Sequence, residues 1–386
     1  MPLHFSREEL AERRRLVTEK LAARGLDGLL MFRQESMYYL TGYDTFGYVF
    51  FQCLYLGADG RLVLLTRSPD LRQARYTSMI DDIRIWVDLP DADPARNDLL
   101  PILDEMGCRG GRLGVEWDAY GLTARNGQRL AAALDGFCAL DDASELVTYL
   151  RVVKSPAEIA CVRKAGELAD AALAEAVRLA QPGAFEGDIL AAMQGAVFRG
   201  DGDYPGNEFI IGSGPSGMLG RYQSGRRHLG KDDMLAIEFA GVFRHYHSCL
   251  WRTIKVGEEN HRHRHLYDVS LECLLACEEA VRPGETVGSV FEAYDRTLQR
   301  HGFGADSRFN ACGYSLGTTF SPNWMDWPMF YRGNPVILEP GMVFFISPGV
   351  RDDDAVLLGE AGETVLVTDT GCERLSSASL DYVRKP

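Results

Sequence analysis

The chain has 386 residues and a formal net charge of −14, with 46% hydrophobic and 25% charged residues. So acidic a balance argues against nucleic acid or an anionic membrane as partner, since either selects a basic face. No apolar run is long enough to span a bilayer, and Met1–Ser6 lacks a basic-then-apolar leader, so a cytoplasmic location is the expectation. Nine scattered cysteines with no CxxC pair read as reduced thiols, Cys273 and Cys277 among them as fillers on a buried helix face.

In chain order, Ser6 caps a predicted helix over 7–24, with Glu8 and Glu9 in its first turn and Gly25 at its end. Residues 28–32 read as a buried strand, 36–42 as a second one, and 49–55 and 62–66 as further strands. A helix is predicted at 124–135. This alternation gives an α/β domain over residues 1–149. Ser155, Pro156 and Glu158 then form a capping-box pattern that opens a long helix running to about Leu179. Beyond it the spacing predicts helix 186–199, strands 207–212, 234–242 and 245–256, helices 261–281 and 287–302, and strands near 343–348 and 363–368. That order indicates an α+β domain over residues 150–386.

Several stretches together resemble the pita-bread superfamily of creatinase, prolidase and methionine aminopeptidase. They are the linker Leu150–Ile159, the hairpin from Ile237-Glu238-Phe239 to Leu250–Thr253, Cys312–Gly317, and Leu338–Gly349 with Gly362–Thr368. Tyr39-Leu40-Thr41-Gly42-Tyr43 is similar to the first domain of creatinase and prolidase. The resemblance implies a creatinase-like α/β N-terminal domain, a pita-bread C-terminal catalytic domain, a small-molecule substrate and a homodimer.

In metal-dependent relatives two aspartates, a histidine and two glutamates hold two divalent ions, a donor set suited to activating water. The corresponding positions here are Glu238, Cys249, Tyr314, Ser347 and Gly362, with Glu363 beside the last. The set cannot hold two ions, although one zinc on Glu238, Cys249 and His245 or His247 remains chemically possible. Two further histidine-bearing positions of the peptidases fall on Arg221 and on Ser321-Pro322. No metal and no cofactor are therefore expected. The closest likeness in character is to the metal-independent creatinase-like and ectoine-hydrolase-like members.

The chemistry then rests on Glu238, Glu363 and His247. Residues two apart on a strand share a face, so His245, His247 and Cys249 are expected to point one way, with Glu238 facing the same cavity. If Glu238 and Glu363 share one pocket, their repulsion raises one pKa, as an acid–base pair needs. Trp324 and Asp326, in the aromatic run 320–331, are candidates for a cationic or zwitterionic ligand, and Arg221 with its neighbour Tyr222 for a carboxylate. Tyr314 is expected to donate a hydrogen bond where relatives have a ligand histidine. Tyr43, Asp44 and Phe46, with Tyr48, are expected in a loop that forms a lid by analogy with dimeric relatives. With these residues as candidates, the resemblance to the metal-independent members implies hydrolysis of a C–N bond in a small charged amidine or cyclic compatible-solute-like metabolite. The alternatives are an Xaa-Pro dipeptidase-like peptidase with a degenerate metal site, or a non-catalytic metabolite-binding homologue.

Overall fold

A computed structural model describes residues 3–221, 226–304 and 311–386, in two compact units, Met1–Arg151 and Val152–Pro386. In the first unit Ser6 caps α1 (Arg7–Arg24) by accepting from the Glu9 amide, and Gly25 ends it in the left-handed conformation. Six strands follow, β1 (Gly28–Met31), β2 (Cys53–Gly57), β3 (Leu62–Arg67), β4 (Asp82–Trp86), β5 (Arg112–Val115) and β6 (Ala139–Asp142). They form one mixed sheet in the order β4-β3-β2-β1-β5-β6. The unit's helices include α2 (Gln34–Thr41), α3 (Leu71–Thr77), α4 (Leu100–Glu105), α5 (Ala124–Leu134) and α6 (Leu146–Leu150).

Two sequence expectations fail here. Residues 36–42 are helical, in α2: Thr41 Oγ1 donates to the Met37 carbonyl and Gly42 caps the end with a φ of 79°. Nearly every α2 residue is buried, and an apolar run buried all round shows neither strand nor helix period. The strand expected at 49–55 begins only at Cys53, after a 3-10 turn at Gly47–Val49.

The second unit opens on α7 (Pro156–Leu179), whose capping box between Ser155 and Glu158 is formed as the sequence predicts. Glu158 also accepts from Tyr246 Oη at 2.7 Å, which ties the start of α7 to a strand of the sheet. There follow α8 (Glu186–Arg199), β7 (Ile210–Ser213), β8 (Asp233–Phe243), β9 (Tyr246–Val256), α9 (His261–Ala280) and α10 (Val287–Arg300). The remaining strands are β10 (Gly313–Ser315), β11 (Asp326–Met329), β12 (Val343–Ile346), β13 (Gly349–Asp352), β14 (Leu357–Val367), β15 (Cys372–Arg374) and β16 (Val383–Lys385). Among the described residues the sheet path is β11-β10-β12-β14-β9-β8-β7, with β13 and β15 on β14 and β16 on β9.

Alternation along these strands sorts their side chains into two faces. Leu235, Ile237 and Phe239 of β8 and Leu250 and Ile254 of β9 join α7 and α8 in one core, while Ala361, Val365 and Val367 of β14 join α9 and α10 in another. The approach of α7 is close: a Cβ on Gly241 would lie 1.9 Å from the Ala165 carbonyl oxygen, so only glycine fits there. The intervening residues are left on the opposite face, and the candidate site is built from them.

Candidate active site

Cross-strand register decides who meets whom. Glu238 lies opposite Trp251, and Trp251 opposite Gly362, so these three form a row across β8, β9 and β14. Cys249 is two residues from Trp251 on the same face, opposite Ala240. Tyr314 reaches this face from β10, its ring edge-on to Phe345 of β12 at 5.6 Å. Its hydroxyl donates to Glu238 Oε1 at 3.3 Å and accepts from Trp324 Nε1 at 2.9 Å. A chain of hydrogen bonds thus runs from a buried indole through a phenol to one carboxylate.

Glu238 is half-buried. Desolvation pushes its carboxyl up to about 7, against the opposing pull of the Tyr314 hydrogen bond and the Arg221 charge. Burial and the charge of Glu238 also drive the Cys249 thiol and the Tyr314 phenol well above their ordinary ranges. Replacing Tyr314 by Phe removes an interaction that favours ionised Glu238. The Glu238 inflection in a pH–activity profile is then expected to move alkaline by about one to two pH units, the scale of one hydrogen bond to a charged group. An unmoved or acid-shifted inflection would contradict this wiring.

His247 is buried on β9, but it forms no dyad with Glu238. Its Nε2 accepts from the Gly206 amide at 2.8 Å and its Nδ1 meets Thr319 Oγ1 at 3.1 Å. Burial pushes its pKa down to about 3, so the ring is neutral. It holds the 206 loop, which lies against the backbone of Asn323 and Trp324, and so positions the indole. His245 does not share its face. It sits in the turn between β8 and β9 with a φ of 65° and stacks on Phe320 at 4.1 Å, because strand alternation stops where the hairpin bends.

Glu363 also departs from expectation. One residue beyond Gly362, it turns to the helix side of β14, where it is fully buried and ion-paired with Arg252 of β9. It therefore shares no pocket with Glu238: its register partner on β12 is Ile346, which packs into the α9–α10 core. The β14 carboxylate on the Glu238 side is Glu360, two residues before Gly362, and sequence reasoning missed it. Counting by twos back from Gly362 reaches it only once the register has set Gly362 beside Trp251 on the site face.

Asp326 pairs in register with Ser315, and its Oδ2 comes within 3.2 Å of a Cβ placed on Gly317, beside Lys154 Nζ. Of the aromatic run, Trp324 joins the site network while Phe330 packs on Phe344 in the α9–α10 core. Arg221 is exposed, with its charge felt by Glu238. Tyr222 lies outside the described residues. Tyr43, Asp44 and Phe46 belong to the first unit. Tyr43 is no lid residue, being fully buried with its hydroxyl 3.2 Å from Thr66 Oγ1; Asp44 is half-buried, and only Phe46 stands out in solvent, 73% exposed.

A dinuclear metal centre does not fit this arrangement. Among the described residues no three His, Cys, Asp or Glu side chains converge on a point that could hold an ion. Glu238 is the one carboxylate among the five positions. The space above Gly362 is filled, since a Cβ there would lie 2.7 Å from Trp251 Cβ, and one on Gly349 would lie 2.8 Å from Trp251 Cη2. Trp251 thus crowds the position from which a ligand glutamate would have to start, and its indole covers Gly349.

The two units match two family models, the creatinase/prolidase N-terminal domain over residues 13–153 and metallopeptidase family M24 over residues 160–369. The chain belongs to this pita-bread family of creatinases and prolidases. It is 30% identical to an ectoine hydrolase of Halomonas elongata, over 97% of this chain and 96% of that protein. It is also 30% identical to an uncharacterized hydrolase/peptidase, y4tM, of Sinorhizobium fredii, over 99% of each. Among solved structures, an Xaa-Pro dipeptidase from Bacillus anthracis superposes with a TM-score of 0.84 at 20% identity, covering 97% of this chain and 99% of that one. The last likeness shows the fold alone.

Proposed function

We propose that this chain is a metal-independent hydrolase that cleaves a C–N bond in a small charged amidine or cyclic compatible-solute-like metabolite. The observation that carries the reading is Glu238, a carboxylate poised near neutrality at the end of the Trp324–Tyr314 chain. A group titrating near the working pH both accepts and returns a proton efficiently. Water adds to the amidine carbon as Glu238 takes its proton. The carboxylic acid then returns that proton to the departing nitrogen as the C–N bond breaks, giving an amide and an amine. Tyr314 stabilises Glu238 while it is ionised, and Arg221 supplies a nearby cation for a substrate carboxylate. The ectoine hydrolase relative, matched along nearly the whole chain, supports this class of reaction.

Metal analysis of the purified protein, with activity measured before and after chelation, tests the reading. We expect less than one tightly bound divalent ion per chain and unchanged turnover of amidine metabolites after chelation. Two retained ions, or activity lost to chelator and restored by metal, would sink it. Cleavage of a proline dipeptide stimulated by added manganese or zinc would put a peptidase in its place. The homodimer and the cytoplasmic location implied by the resemblance belong to the same proposal, and the mass in solution tests the first.

A further inference from the structure

Glu360 is 1% exposed on β14. Its amide donates to Thr253 Oγ1 at 3.2 Å, and its register partner on β13 is Gly349, which offers no side chain. Standing two residues before Gly362, it shares the face of Trp251 and Glu238, whereas Ala361 between them packs into the α9–α10 core. Among the described residues its Oε2 has no hydrogen-bond partner. The charge it feels is that of Glu238, which adds to burial in pushing its carboxyl well above the ordinary range.

Such a group is costly to keep. A buried carboxylate is normally paired or fully hydrogen-bonded, and two that face each other repel. An isosteric glutamine would remove the charge at no loss of volume. Among the described residues, the neighbouring side chains do not complete a ligand set for a metal ion. What does satisfy a half-open carboxylate beside a closed, unpartnered one is a compact cation carrying several N–H donors, since it answers both the charge and the missing hydrogen bond.

We propose that Glu360 and Glu238 together form a seat for the cationic end of the substrate, a planar amidinium or similar group, with Glu360 as its inner anchor. This rests on the reading that the substrate is a small amidine. It adds a binding residue that the resemblance does not supply, on the strand position two before the lost metal ligand.

Isothermal titration with acetamidinium, and with neutral acetamide as its uncharged counterpart, tests the seat without requiring turnover. The wild-type protein is expected to prefer acetamidinium by about tenfold or more, the scale of one charge-assisted hydrogen bond. Glu360→Gln is expected to lose that preference while unfolding at the same temperature or higher. Glu360→Asp, which keeps the charge but withdraws it by one methylene, is expected to fall between the two. A wild-type protein indifferent to the charge would overturn the seat, as would either variant binding acetamidinium as tightly as the wild type. Selective binding through Glu360 with no amidine hydrolysis would uphold the seat and remove only the hydrolase reading.

Discussion

Glu238→Gln is expected to lower turnover by roughly 10²–10⁴-fold, the usual contribution of a positioned acid–base group. The same substitution is expected to stabilise the protein at alkaline pH. Glutamine keeps the shape and an acceptor for Tyr314 but carries no charge into the desolvated site. The sign follows from the direction of the shift: the folded state holds the Glu238 carboxyl at about 7, above its ordinary value of 4.5. Wild-type stability is therefore full below about pH 4.5 and falls as pH rises through 7, by on the order of 3 kcal/mol once both states are ionised. Thermal unfolding at pH 5 and pH 8 measures this directly. The variant should match the wild type at the lower pH and exceed it at the higher. Full activity in the variant would remove Glu238 from the chemistry, whatever the melting curves show.

Gly362→Glu restores the residue type that metal-dependent relatives carry at this position, and it is expected to destabilise the protein without creating a metal site. The new Cβ meets Trp251 Cβ at 2.7 Å, and the Ile346 carbonyl and the Phe345 ring at 3.1 Å. None of these is the free end of a flexible chain. Overpacking together with an unpaired buried carboxylate is expected to cost about 2–5 kcal/mol. Denaturant unfolding checks the loss, and metal content after dialysis checks the second half of the statement. A variant as stable as the wild type would mean that Trp251 yields easily, and that the site is less committed to its present form than the packing indicates. The substitution also separates two accounts of the lost centre. Were missing donors the sole obstacle, adding one back would raise metal affinity; the filled space predicts that it does not.

Much of the fold is written locally. Ser6, Gly25, Ser155 and Glu158 fix helix ends through hydrogen bonds within a few residues, and the structure forms each of them. The long strands of the hairpin, buried at almost every residue, follow from apolar runs on either side of the turn at Arg244-His245. Where periodicity is silent the reading slips, as at 36–42, where burial on all sides of α2 leaves no polar stripe to mark the turn of a helix. Analogy with dimeric relatives puts Tyr43 in a lid, yet its ring fills the first unit's core.

The site divides the same way. By itself the sequence determined which residue types stand at the motif positions, and its resemblance implies that Glu238 keeps a carboxylate while Cys249, Tyr314 and Gly362 fall where metal-dependent relatives have ligands. Tertiary structure alone decided which carboxylates share a face. Glu360 and Glu363 are both glutamates in one strand, three residues apart, and nothing in their chemistry distinguishes them. Pairing of Gly362 with Trp251, and of Trp251 with Glu238, sends Glu360 to the site and Glu363 to Arg252 on the other side. A one-residue difference in register would exchange them, and register is set by hydrogen bonds between strands more than one hundred residues apart in the chain.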